Sequence, residues 1–149
     1  MRDVVVAGAG LHRYGVFPDK TPIDLGTVAI QRALDDADCR WTDIEAVYCG
    51  TVRLGMSAGH KICQHMGTTG LAITNVENAS ASGSSAFREA YLAIAAGEHN
   101  VVLALGVDKL SAQPERFYRR TLRVSNCRGA SCRSRVSLSW RSIIYRPMG

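Results

Sequence analysis

Residues 71–107, LAITNVENASASGSSAFREAYLAIAAGEHNVVLALGV, decide the fold. LAITNVE (71–77) reads as a strand. Gly83 to Ala96 is a helix dense in small residues, and Gly97 supplies the glycine that closes such a helix. VVLALGV (101–107) is apolar without alternation, so both of its faces must be covered.

The same alternation runs back toward residue 1. DVVVAG (3–8) reads as a buried strand, and EAVYC (45–49), closed by Gly50, as another. Between them Thr21 is an N-cap, Pro22 suits the first helical position, and Asp24 completes a capping-box-like start. That helix runs to Ala37 with Ile23, Gly26, Ile30, Ala33, Leu34 and Ala37 on one stripe. Residues 58–66 form a short helix ended by Gly67. Gly8-Ala9-Gly10 opens like a dinucleotide-binding G-x-G-x-x-G, but Arg13 stands at the third glycine and no helix begins at the glycines. No helix N-terminus is therefore offered to a pyrophosphate. Strands alternating with helices, the strands uniformly apolar, predict an α/β domain of αβα layers with a mostly parallel sheet.

Composition divides the 149-residue chain unevenly. Residues 1–113 hold 9 Lys/Arg against 12 Asp/Glu, and residues 114–149 hold 9 Arg against the single acid Glu115. The boundary falls at Ser111 to Pro114, giving a domain over 1–111 and an irregular Arg/Ser-rich tail over 112–149. The tail is expected to be poorly ordered, because low apolar content and like charge do not offset the ordering entropy. Its composition fits a change of reading frame at least as well as a selected domain. One edge strand near 135–145 is compatible with the alternation of Val136, Leu138 and Trp140. Nine arginines favour non-specific phosphate contacts, but no recognition motif accompanies them, so a nucleic-acid partner is not expected.

No apolar run approaches the roughly 20 residues of a membrane span, and no signal peptide is visible, so a cytoplasmic protein without a membrane partner is expected. The five cysteines then read as reduced thiols. His60, Cys63 and His65 do not share a helix face and lack a second ligand pair, so no metal is expected.

Ser80 is the candidate reactive group. A hydroxyl at a strand-to-helix junction feels the positive end of the helix dipole, and unpaired N–H groups there can hold a developing oxyanion. Ala79, Ala81, Ser82, Gly83, Ser84, Ser85 and Ala86 let backbone and substrate approach closely. The same pattern fits a tightly packed buried helix start.

NVENASASGSSAF (75–87) resembles the thiolase family, particularly its acetyl-CoA acetyltransferase and sterol-carrier-protein-like branch, whose motif reads V-E-N-A-C-A-S-G-S. The resemblance continues through AYLAIAAGEHNVVLALGVDKLS and covers about residues 3–111. It implies a thiolase-like half-domain and an acyltransferase working on acyl-CoA as substrate, with no further cofactor. In the family a cysteine at the position of Ser80 takes the acyl group, inside a dimeric five-layered fold of two similar halves. The serine is a departure: a thiol at a helix start is partly thiolate at neutral pH, whereas a hydroxyl needs an adjacent base. The family's G-H-P histidine and second cysteine are also missing, since Gly59-His60-Lys61 lies in the wrong region and Cys127-Arg128-Gly129 lies in the tail. The resemblance therefore implies a weakened or inactive acyltransferase. Its alternatives are a truncated, non-catalytic chain that binds acyl-CoA or a full-length partner, and a thiolase-related steroid side-chain aldolase, which needs no nucleophilic cysteine. Self-association through uncovered apolar surface is expected.

Overall fold

The computed structural model describes residues 1–67, 69–110 and 141–147. Five strands form one sheet in the order β1-β5-β4-β2-β3, where β1 is Val4–Leu11, β2 Ala46–Gly50, β3 Ala72–Val76, β4 Val102–Gly106 and β5 Arg141–Pro147. β2 pairs in parallel with both β3 and β4, while β5 runs antiparallel to β1 and β4. Four of the five strands run the same way, as expected of an αβα layered domain, but the reversed β5 makes two of the four pairings antiparallel, so the sheet is mixed.

Alternation along each strand builds two cores. Val47, Cys49, Leu103, Leu105 and Ile144 pack against helices α1 (Pro22–Ala37) and α2 (Ala58–Cys63). Ala46, Val102, Ala104 and Tyr145 point the other way, onto Ala90 and Ile94 of α3 (Ser82–Ala96). Covering β4 on both faces explains its unbroken apolar run. β3 departs from that expectation: it is an edge strand whose five residues are all exposed or half-buried.

Local chemistry sets the helix ends. The Asp24 amide donates to Thr21 Oγ1 at 3.2 Å and the Thr21 amide donates to Asp24 Oδ2 at 2.6 Å, closing the expected capping box. α3 ends at Gly97 in the left-handed region, φ 86°. α2 is shorter than predicted, because the chain tightens after Cys63 into turns with the His65 amide on the Ile62 carbonyl and the Met66 amide on that of Cys63.

Gly8 and Gly10 have a packing role. A Cβ on Gly10 would lie 2.1 Å from the Ala29 carbonyl oxygen, and one on Gly8 would lie 2.6 Å from the Ala37 amide. The two glycines let α1 lie directly on β1, which runs on to Leu11 because β5 pairs along it.

The tail needs a correction. The expected disorder falls, for residues 111–140 and 148–149, outside the described residues. Residues 141–147, however, form a strand, and it is interior rather than an edge strand. Ile144 and Tyr145 are buried on opposite faces, so one reversed strand contributes to both cores. Among the described residues no helix is long and apolar enough to cross a membrane.

Candidate functional site

A cavity of about 490 Å³ opens where β2 and β4 end, on the α3 side of the sheet. It is lined by Ser80, Gly83 and Phe87 around the start of α3, by Thr51 and Val52 after β2, by Gly106 to Asp108 at the end of β4 and by Ile143 of β5.

The turn carrying Ser80 is built by its polar neighbours. Ser82 Oγ accepts from the Asn78 amide and donates to the Ala79 carbonyl, both at 2.8 Å. Asn78 Nδ2 donates to Ser85 Oγ at 2.9 Å, and the Ala79 amide donates to Glu77 Oε1 at 2.7 Å. These bonds hold a 3-10 turn, Ala79–Ala81, directly ahead of α3. Ala79 sits at φ 46°, a left-handed conformation that costs a non-glycine residue roughly 1–2 kcal/mol. The turn is closely seated on the sheet: a Cβ on Gly50 would lie 2.4 Å from the Ser82 carbonyl oxygen. Gly50 thus lets the last residue of β2 touch the first turn of α3.

Ser80 itself stands apart from this network. It is exposed, lines the cavity and has no hydrogen-bond partner among the described residues. The sequence placed it at a helix start; the structure places it in the 3-10 turn just before that start. Gly83, where a Cβ would meet open space, leaves the first helical turn uncovered toward the cavity.

No histidine accompanies it. His12 is buried in the β1–α1 loop, donating from Nδ1 to the Arg13 carbonyl at 2.9 Å and accepting from Lys20 Nζ at 3.2 Å. His60 accepts from Asn75 Nδ2 at 3.3 Å, His65 donates to the Lys61 carbonyl at 2.9 Å, and His99 lies 3.6 Å from Glu45. None lines the cavity. Among the described residues no three His, Cys, Asp or Glu side chains gather as metal ligands, and Cys63 points into the core between the exposed His60 and His65.

Asp108 is the ionisable side chain on the cavity lining. It is only 5% exposed, and that burial pushes its carboxyl above the ordinary value, opposed by amide donors. Oδ2 accepts from the amides of Val52 at 3.1 Å and Arg53 at 3.3 Å, and Oδ1 accepts from the Lys109 amide at 3.1 Å. Three amides thus fix this carboxylate in place, and no hydrogen bond joins it to Ser80. The thiols are no better placed as nucleophiles: burial pushes Cys49 and Cys63 up to about 12. Sequence reasoning had singled out neither Asp108 nor Gly50. The available signal was an acid directly after an unbroken buried strand, in GVDK.

The thiolase N-terminal domain family matches residues 4–137. Acetyl-CoA acetyltransferase of Methanothermobacter thermautotrophicus is 35% identical over 116 residues, which is 74% of this chain and 30% of that protein. Sterol carrier protein 2 of Homo sapiens is 33% identical over 115 residues, 74% of this chain and 21% of its own length. The chain therefore spans less than a third of the curated relatives it matches. Among solved structures, the Acat5 thiolase from Ascaris suum, in complex with coenzyme A, superposes with TM-score 0.69 at 22% identity, covering 76% of this chain and 32% of that one. The priming β-ketosynthase of the R1128 polyketide pathway superposes with TM-score 0.76 at 17% identity, covering 99% of this chain and 51% of that one.

Proposed function

The chain belongs to the thiolase family, and from that premise we propose that its cavity is an acyl-CoA site of the acyltransferase type, with Ser80 at the position of the family's nucleophilic cysteine, in a chain that does not turn over by itself. What supports this reading is a single observation: an unpartnered Ser80 hydroxyl on the cavity wall, beside the start of α3, with no histidine among the lining residues.

The chemistry separates binding from turnover. A cavity with apolar walls, several hydroxyls and an open first helical turn suits a short acyl thioester, whose carbonyl oxygen the turn's N–H groups can polarise. Attack by Ser80 needs its proton removed as the C–O bond forms, and no histidine or carboxylate among the described residues is hydrogen-bonded to it. The oxyester that would form is also a poorer acyl donor than the family's thioester intermediate. Both deficits act on turnover and leave binding intact.

Self-association completes the proposal. Among the described residues β3 has no strand on its outer edge, and α3 carries Phe87 and Tyr91 at 41% and 39% exposure. An open strand edge and exposed aromatic rings each favour association with a second copy.

The test is a coupled acetoacetyl-CoA cleavage assay on the purified chain and its Ser80→Cys variant, with sedimentation of the same preparations. The expected result is no turnover by either, rapid alkylation at residue 80 only in the variant, and a species larger than a monomer. Restoring the thiol repairs one member of a set that acts as a unit, so it should recover little. Robust turnover by the serine chain would overturn the reading and favour a serine-nucleophile or aldolase-like reaction. A clean monomer over a wide concentration range would remove the assembly part alone.

A further inference from the structure

Thr51 and Val52, in the loop after β2, line the cavity together with Ser80. Val52 is 39% exposed, yet three successive amides, Thr51 to Arg53, are all satisfied. The Thr51 amide donates to the Val76 carbonyl at 3.1 Å, which continues the strand pairing. The next two amides have left the sheet, and both donate to one oxygen of Asp108. Asp108 is itself fixed from the other side. Its second oxygen accepts from the Lys109 amide, and the buried Lys109 ammonium donates to the Lys20 carbonyl across the sheet. The end of β4 therefore carries two adjacent buried charges, one holding the loop after β2 and the other the loop before α1.

From this arrangement we infer that Asp108 is a positioning residue, whose carboxylate fixes the Thr51–Arg53 wall and thereby sets the size of group that can reach residue 80. The two loop amides are partly buried, so losing their shared acceptor removes two hydrogen bonds worth roughly 0.5–1.5 kcal/mol each and frees the loop to shift toward water. The wall bearing Val52 would then no longer be defined. The inference concerns the shape of the cavity and stands whether or not the chain transfers acyl groups.

The test uses the full chain with Ser80→Cys as a reporter, alkylated by iodoacetamide and by a bulky N-benzylmaleimide. Peptide mass spectrometry follows residue 80, while the buried Cys49 and Cys63 report unfolding. Adding Asp108→Ala is expected to raise the bulky-to-small rate ratio at residue 80 about fivefold, the scale of one lost hydrogen bond, with the buried thiols still silent. Asp108→Asn is expected to restore most of the parent ratio, since its carbonyl oxygen can still accept both loop amides although its Nδ2 no longer accepts from the Lys109 amide. An unchanged ratio in Asp108→Ala with silent buried thiols overturns the inference. If that variant labels Cys49 and Cys63, amide exchange at Val52 and Arg53 in the unmutated chain decides instead. Exchange slowed about tenfold or more from the free-peptide rate supports the clasp, and exchange at the free-peptide rate overturns it.

Discussion

β4 and β5 lie side by side in the sheet, paired from Val102–Tyr145 to Gly106–Arg141, yet their sequences have little in common. β4 is VLALG, with its first four residues buried. β5 is RSIIYRP, with arginine near both ends, proline last, and three apolar residues between. The difference lies in what specifies each strand. β4 is dictated by its own residues, which must be covered on both faces wherever they go. β5 is dictated by its neighbours: it is the strand that joins β1 to the rest of the sheet, and three apolar side chains suffice to complete both cores there.

That comparison is broken most directly by removing β5. A chain ending at Trp140 should lose its cooperative urea transition, because β1 and β4 have no hydrogen-bonded contact without the strand between them. Circular dichroism through a denaturant series measures it. A truncated chain that unfolds with an unchanged midpoint would show β5 to be an ornament of the sheet.

A matched pair of core truncations sharpens the comparison. Leu103 and Ile144 face each other across the β4–β5 register, and both are fully buried. Leu103→Ala and Ile144→Ala should each cost about 2–5 kcal/mol, the usual range for deleting such a side chain. Near-equal losses mean the two strands are equally integral despite their sequences. A loss below about 1 kcal/mol at Ile144 alone would mean that α1 packs well enough without β5.

The contrast also explains what was legible in the sequence. The first four strands and three helices fall within a few residues of their expected positions, since each carries its own apolar pattern and its own caps. In the tail the alternating Val136, Leu138 and Trp140 suggest a strand near 135–145; these three lie outside the described residues, and in the described part, Arg141–Pro147, the apolar run is too short to stand out. Its burial comes from partners more than 30 residues away, which no local window contains. The site divides in the same way. Ser80 was legible because NVENAS is a local motif. Asp108 was not, because its role is defined by amides 55 and 56 residues earlier in the chain. Gly8 and Gly10 show the converse case: a local pattern that resembles a nucleotide fingerprint, and is rejected as one for want of a helix at the glycines, is accounted for by a helix lying on the strand.

The smallest expected effect is the most specific to β5. Tyr145 is 2% exposed, its ring meets Phe87 edge-on at 5.1 Å, and its hydroxyl has no partner among the described residues. β4 has no such mismatch. Tyr145→Phe keeps the ring contact and removes the unpaired hydroxyl, so near neutral pH it should stabilise the fold by up to about 1 kcal/mol. The alkaline side gives the sharper readout. Burial raises the Tyr145 pKa above its ordinary value of 10.0. The stability linked to it is therefore fully present below about pH 10 and is lost as pH rises toward the folded value, because only the unfolded chain ionises freely. Cys49 and Cys63, raised from 9.0 to about 12, act with the same sign but begin about one unit lower. In Tyr145→Phe the loss that begins near pH 9 should remain, while the steeper loss above pH 10 should flatten. Urea midpoints for both proteins across that range make the comparison. Parallel curves would place the tyrosine hydroxyl in contact with water or a partner, and β5 would then be as well matched to its surroundings as β4.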